Sequence, residues 1–261
     1  MIAINQSVVE AIARDIVDSA EFTPHSGVGD LAAAYAVQDA VAEKLIADGS
    51  RKPVAGYKMA ANSKGAMQHF ALTEPAAGRV FGDQVYTSPA ELAAGTFRQF
   101  AYEPEIIAIM GASLPASGAP YTREDVAAAI ARFVPGFEIL ELRGAEMPKI
   151  GIVEAVAQNI TNAGIVIGGG PGIAPGALVP AEVRTVVTID GKPELDVTGA
   201  APQDPLEAVT WLANHLISRG LSLEAGQCVL CGTHAPIRAV SGAARIEASM
   251  SGLGDVTLTL T

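Results

Sequence analysis

A chain of 261 residues, 49% of them hydrophobic and 17% charged, can bury a sizeable core, which excludes a disordered or low-complexity protein. Its 28 Asp and Glu against 17 Lys and Arg give a net charge of −11, so the long-range field repels a phosphate backbone and no nucleic-acid partner is expected. Two cysteines are too few for a disulfide scaffold and point to a reducing compartment.

Near the start of the chain, Glu10, Asp15, Asp18 and Glu21 fall where a signal peptide needs a basic start and an apolar centre, so the expected location is the cytoplasm. Val8, Ile12 and Ile16, then Leu31, Tyr35, Val41 and Leu45, recur at helical spacing and predict two helices within residues 6–48. Asp30 is the expected N-cap of the second and Gly49 its stop. After Pro53 short apolar runs alternate with Gly and Pro, which divides the chain near residue 50 into a helical segment, 1–50, and a larger domain, 51–261.

Strands are expected at 54–60, 102–110, 134–142, 164–167, 184–189, 228–230 and 244–248, and helices at 123–131 and 205–218. Such interleaving without regular alternation predicts an α+β fold with a β-rich core rather than a doubly wound sheet. Residues 155–181 carry no charge over a length that would span a bilayer, but Pro171, Pro175 and Pro180 with Gly168-Gly169-Gly170 would break the helix. The segment reads as a buried strand and a loop, with no membrane association. Cys228 and Cys231 form C-x-x-C inside an apolar run that reads as a strand, whereas the redox motif opens a helix; the pair is read as structural.

The strongest chemical feature is Glu103-Pro104-Glu105, at the start of the apolar run 106–110. Residues two apart on a strand share a face, so both carboxylates project together, and their repulsion is relieved by a cation. Pro104 predicts a strand end or edge there. Glu138 is a third acid inside an apolar run, chosen over Glu141 because it lies nearer the run's middle. Three carboxylates without neighbouring His or Cys favour Mg²⁺ or Mn²⁺ over zinc. The alternative is a solvated strand face, with Glu138 paired to an arginine such as Arg143. Lys58, in the run 56–61, is either a proton-transfer or carboxylate-binding residue or an edge lysine whose ammonium reaches solvent.

These motifs resemble the 2-keto-4-pentenoate hydratase and 4-oxalocrotonate decarboxylase group of the fumarylacetoacetate hydrolase superfamily. Gly56-Tyr57-Lys58-Met59 through Ser63-Lys64, Glu103-Pro104-Glu105, Pro135-Gly136-Phe137-Glu138-Ile139 with Arg143, and Glu154-Ala155-Val156-Ala157-Gln158-Asn159 follow the group's motifs in order. So do the helix Pro205 to Asn214, Gly232-Thr233 and Gly252-Leu253-Gly254-Asp255-Val256. The resemblance implies a fumarylacetoacetate hydrolase-like mixed β-sandwich roll and a homo-oligomer, open to a pathway partner enzyme. It implies Mg²⁺ or Mn²⁺ on Glu103, Glu105 and Glu138, and a small anionic 2-oxo or 2-hydroxy-dienoate substrate from aromatic catabolism, chelated through its C1 carboxylate and C2 oxygen. Lys58 would assist proton transfer or hold the carboxylate, with Ser63 and Asn159 hydrogen-bonding to substrate or water.

Departures from the group's pattern cut both ways. Ala60 and Asn62 stand where Gly and Thr are common, and Gln158 replaces an acid. Ala76 replaces an Asp found in many hydratases; if that acid activates water, its loss favours a decarboxylase. His234 is unusual after Gly232-Thr233 and is read as structural ahead of a compensating proton-transfer role. Hydratase is the first expectation, decarboxylation of a 2-oxo-3-hexenedioate the second, and a non-catalytic subunit that binds a ligand or partner the third.

Overall fold

The apolar spacing near the N-terminus produces two helices, α1 (Gln6–Val17) and α2 (Leu31–Ala47). Asn5 accepts from the Ser7 N–H and Asp30 from the Ala33 N–H, satisfying amides that the first turn leaves free. Gly49, at φ 79°, takes the left-handed turn that ends α2. Neither helix has a core of its own: Ile12, Tyr35, Val41 and Leu45 share one apolar cluster with Ala76, Phe81, Val156 and Ile160. The computed structural model describes residues 4–261, so the first three residues of the 1–50 segment lie outside it.

The rest of the chain runs β1 (Val54–Ala60), α3 (Lys64–His69), β2 (Ala76–Phe81), β3 (Val85–Thr87), β4 (Ala90–Leu92), β5 (Phe100–Met110), α4 (Arg123–Ala129), β6 (Ile130–Glu141), α5 (Ile152–Ala157), β7 (Asn162–Ile167), β8 (Arg184–Ile189), β9 (Lys192–Thr198), α6 (Pro205–Ser218), β10 (Cys228–Thr233), β11 (Arg238–Ala239), β12 (Ala244–Met250) and β13 (Gly254–Leu260). Every strand expected from the sequence is present. Residues 155–161, read as part of a buried strand, instead form the end of α5 and a tight turn; the following strand and the Gly- and Pro-rich loop are as expected. Among the described residues no helix is long and apolar enough to cross a membrane.

One sheet has the order β2-β1-β10-β5-β6-β7-β3, with β11 added to β5; a second has the order β4-β13-β12-β8-β9. The two meet through Tyr102, Phe137 and Ile139 on one side and Val187, Ile246, Val256 and Leu258 on the other. Helices α4 and α6 cover the large sheet with Val126, Leu206, Val209 and Leu212 against Ile106, Ala108 and Phe133. The large sheet also rolls: Val80 of β2 and Ile165 of β7 meet in one cluster with Ile107, Val134, Cys228 and Leu230. This inner face is the one that also carries Gly56, Lys58, Glu103, Glu105, Gly136 and Glu138, by strand alternation.

Close packing inside the roll restricts it to small residues at defined points. A Cβ built on Gly136 would lie 2.1 Å from Ile107 Cδ1 and 2.7 Å from the Val166 carbonyl. Gly136→Ala is therefore expected to lower the unfolding free energy by about 2–3 kcal/mol in urea titration, since the Val166 carbonyl is backbone held in the sheet and cannot withdraw even where Ile107 changes rotamer. Cys228 and Cys231, three apart on β10, join clusters on opposite faces of the sheet and remain free thiols. Burial pushes the Cys228 thiol up to about 12, the opposite of a redox-active cysteine.

Candidate metal-binding active site

Strands β5 and β6 are paired so that Glu103 lies opposite Glu138 and Glu105 opposite Gly136. Antiparallel register and the two-residue repeat therefore put all three carboxylates on the inner face. One oxygen from each lies within 4.8 Å of the others, and the side chains are all buried. Glu141 is engaged elsewhere, where its oxygens accept the backbone N–H groups of Arg98, Gln99 and Arg143, at 2.7, 2.8 and 3.2 Å.

Pro104 does not mark a strand end or edge. It sits within a central strand flanked by β10 and β6, and the sheet adapts by a register shift in β10 between Leu230 and Thr233. That irregularity frees the Gly232 N–H from the ladder and points it at Glu105 Oε2, 2.6 Å away; Gly232 has φ 118°. His234 N–H donates to the Pro104 carbonyl at 2.9 Å, restoring the backbone bonding beyond the bulge.

Lys58, on β1, closes the cluster. Its Nζ lies 2.9 Å from Glu138 Oε1 and 3.1 Å from Oε2, and Asn162 Nδ2 donates to Glu138 Oε1 at 2.9 Å. Glu138 thus pairs with Lys58 and not with Arg143, and Lys58 is buried rather than reaching solvent. Burial opposes the charge on Lys58, but the carboxylates of Glu138 and Glu103 outweigh it and hold the ammonium above its ordinary value. Burial, followed by repulsion from Glu138, pushes Glu103 up to about 8, and the same two causes raise Glu105 well above the carboxylate range. Three converging carboxylate oxygens, with Glu103 and Glu105 raised by burial and mutual repulsion, are the donor set of a hard divalent cation. Such a cation relieves the repulsion that the fold imposes.

The cluster opens into a cavity of about 290 Å³. Lys58, Asn62, His69, Glu103, Glu105, Thr161 and Thr233 supply its polar wall, while Leu140, Met147, Ile150, Ile152, Ile160 and Ile237 form much of the remainder. Ser63 and Asn159 do not line it. Ser63 caps α3 by accepting from the Ala66 N–H at 3.0 Å. Asn159 pairs with the backbone of Arg79: Oδ1 accepts its N–H at 2.7 Å and Nδ2 donates to its carbonyl at 2.8 Å. Sequence reasoning missed His69, Asn162, Thr161 and Thr233. A lone histidine in a six-residue helix carries no pattern, and Asn162 acquires meaning only through its bond to Glu138.

His234 is buried against the second sheet, its Nδ1 2.7 Å from Thr185 Oγ1 and its Nε2 without a partner. Burial lowers it from 6.5 to about 4. Because its folded value is depressed, the unfolded chain takes up a proton first, and stability falls as pH drops below 6.5 toward 4. His234→Gln is expected to remove on the order of 2–3 kcal/mol of that acid-induced loss, read as a flatter dependence of Tm on pH across the window.

Comparison with known proteins places this geometry in context. The chain is 30% identical over 254 residues to 2-keto-4-pentenoate hydratase of Paraburkholderia xenovorans, covering 96% of this chain and 91% of that protein. It is 31% identical over 218 residues to 2-hydroxyhexa-2,4-dienoate hydratase of Comamonas testosteroni, covering 82% and 81%. Its fold superposes on 4-oxalocrotonate decarboxylase from Pseudomonas putida G7, a structure complexed with magnesium and adipate, with a TM-score of 0.88, 22% identity and 99% of each chain covered. Residues 54–261 match the fumarylacetoacetate (FAA) hydrolase C-terminal family, so the chain, with its rolled β-rich core and N-terminal helices, belongs to the fumarylacetoacetate hydrolase family.

Proposed function

We propose that this chain is a divalent-metal-dependent hydratase that adds water to a 2-hydroxyalka-2,4-dienoate and yields a 4-hydroxy-2-oxo acid. The observation that carries this reading is the charge in the cavity: Glu103, Glu105 and Lys58, with Glu138 clustered behind them, against a wall that is otherwise largely apolar. Among the described residues Lys58 is the one Lys or Arg on that wall. The cavity therefore suits a substrate with one carboxylate and an apolar, unsaturated tail. Relatives named as hydratases, at 30% and 31% identity over most of the chain, support the same reaction class.

Glu103, Glu105 and Glu138 would hold Mg²⁺ or Mn²⁺, which supplies a Lewis acid that draws charge onto the substrate's 2-oxygen. Lys58, kept charged by Glu138 and Glu103, is the cation available to the substrate carboxylate, and from its buried position stabilises developing negative charge. Leu140, Ile150, Ile152 and Ile237 hold the diene and exclude bulk solvent. Ala76 offers no carboxylate to activate water. His69 is the titratable wall residue left besides Lys58 and the glutamates, and this reading assigns it proton exchange with the attacking water. A homo-oligomer belongs to the same reading and is tested by light scattering.

Decarboxylation of a 2-oxo-3-hexenedioate is the second reading, favoured by Ala76. Its substrate carries a second carboxylate, yet Arg79, Arg143 and Lys64, the cations expected to meet it, do not line the cavity. Arg79 is engaged by Gln38 and Asp39. Purified protein with Mn²⁺ or Mg²⁺ should consume 2-hydroxypenta-2,4-dienoate, seen as ultraviolet loss of the diene without CO₂. Turnover of 2-oxo-3-hexenedioate with CO₂ release would replace the first reading by the second, and inertness toward both would remove both.

A further inference from the structure

A second cavity, of about 210 Å³, lies between the N-terminal helices and the rim of the large sheet. Residues 158–162 separate it from the triad cavity, and within that segment Asn159, Ile160 and Thr161 hold φ near 57°, 51° and 56°, a conformation non-glycine residues rarely adopt three times in succession. Among the described residues, six buried side-chain nitrogen or oxygen atoms have no hydrogen-bond partner, and five of them belong to residues lining this cavity: Arg51 Nε, Gln84 Oε1, Arg143 Nη1, Thr161 Oγ1 and Asn162 Oδ1. Buried polar groups are nearly always paired, so their concentration around one cavity points to a polar guest.

Arg143 identifies the guest's charge. Its side chain is 2% exposed, one nitrogen donates to Gln158 Oε1 at 2.7 Å, and the guanidinium lies 5.2 Å from the centre of the Phe22 ring. Both partners are neutral. Glu141, the nearest acid in sequence, commits its oxygens to three backbone N–H groups, and Asp83 lies beside Arg51, at 3.7 Å. Asp15 and Glu141 lie near enough to favour the charge on Arg143, yet among the described residues neither forms an ion pair with it, and Arg143 keeps a buried donor unsatisfied. The remaining unpartnered atoms complete the description. Arg51 Nε, Arg143 Nη1 and the Thr161 hydroxyl can donate, as a carboxylate requires; Gln84 Oε1 and Asn162 Oδ1 can accept, as a hydroxyl requires.

We propose that this cavity is a binding site for a small hydroxycarboxylate, with Arg143 as its principal cation. The site is distinct from the triad and does not depend on the reaction assigned to it. Asn162 joins the two, because its Nδ2 holds Glu138 while its Oδ1 is available to the guest.

Calorimetric titration of the protein in EDTA with sodium glycolate, sodium acetate and sodium chloride tests this. Glycolate is expected to saturate one site per chain and to bind about tenfold or more tightly than acetate or chloride. Gln158→Asp, which gives Arg143 an internal counter-ion, should abolish that binding, and Lys58→Met should leave it unchanged; Arg143→Gln serves in place of Gln158→Asp should that variant not fold. Absence of saturable glycolate binding overturns the proposal, as does acetate or chloride binding equally well. Loss of binding in Lys58→Met with retention in Gln158→Asp would place the anion at the triad and overturn it too.

Discussion

Glu105→Gln is expected to abolish the rise in Tm that Mg²⁺ or Mn²⁺ produces and to reduce turnover by about a thousandfold or more, the several kcal/mol that a Lewis acid contributes. The substitution is nearly isosteric, and the new side chain's carbonyl oxygen can keep the Gly232 N–H bond, which spans 2.6 Å in the native site. Without metal the variant should be more stable than the native protein at pH 8. The sign follows from Glu103 and Glu105, both raised above their ordinary value of 4.5, the former to about 8. A folded-state value above the unfolded one gives stability that is fully present below pH 4.5 and is lost as pH climbs through about 8. Removing one carboxylate relieves part of that loss. A metal-induced Tm shift that survives in Glu105→Gln would refute the triad.

Lys58→Met should separate chemistry from metal binding. Turnover is expected to fall by about 10²- to 10⁴-fold, the range associated with a positioned proton-transfer or charge-stabilising group. Divalent-metal affinity should stay the same or increase, because Lys58 Nζ, 2.9 Å from Glu138 Oε1, is a competing positive charge on a shared ligand. Calorimetric titration with Mn²⁺ measures the affinity and a diene-loss assay the rate. Metal binding lost together with turnover would make Lys58 a support for Glu138 and not part of the reaction.

That Glu103, Glu105 and Glu138 would lie together was legible in the sequence because the signals are local. Glu103 and Glu105 are two apart, Glu138 sits inside an apolar run, and strand alternation turns both facts into a shared face. What brings them together is the register of β5 on β6, which no local pattern specifies. Pro104 shows the limit: the rule against proline in central strands predicts an edge, and a bulge in β10 satisfies the same physics in the middle of the sheet. Ser63 and Asn159 were drawn toward substrate by their place in motifs, yet each is committed to backbone N–H groups within its own surroundings. The short helices α3 and α5 escaped because six residues are too few to establish a helical period. His69 and Ile152 went unseen with them.

The triad cavity draws its two kinds of wall from two kinds of structure. Its charges stand on β1 and β5, strands locked on both sides by neighbours, whereas His69, Met147, Ile150 and Ile152 come from short helices and the turns beside them. Substitution in the latter group can reshape what fits without moving a carboxylate. Mutational drift in this protein should therefore alter preference for chain length and branching far more readily than it alters the kind of bond made or broken, and libraries aimed at new substrates belong on those helices and turns.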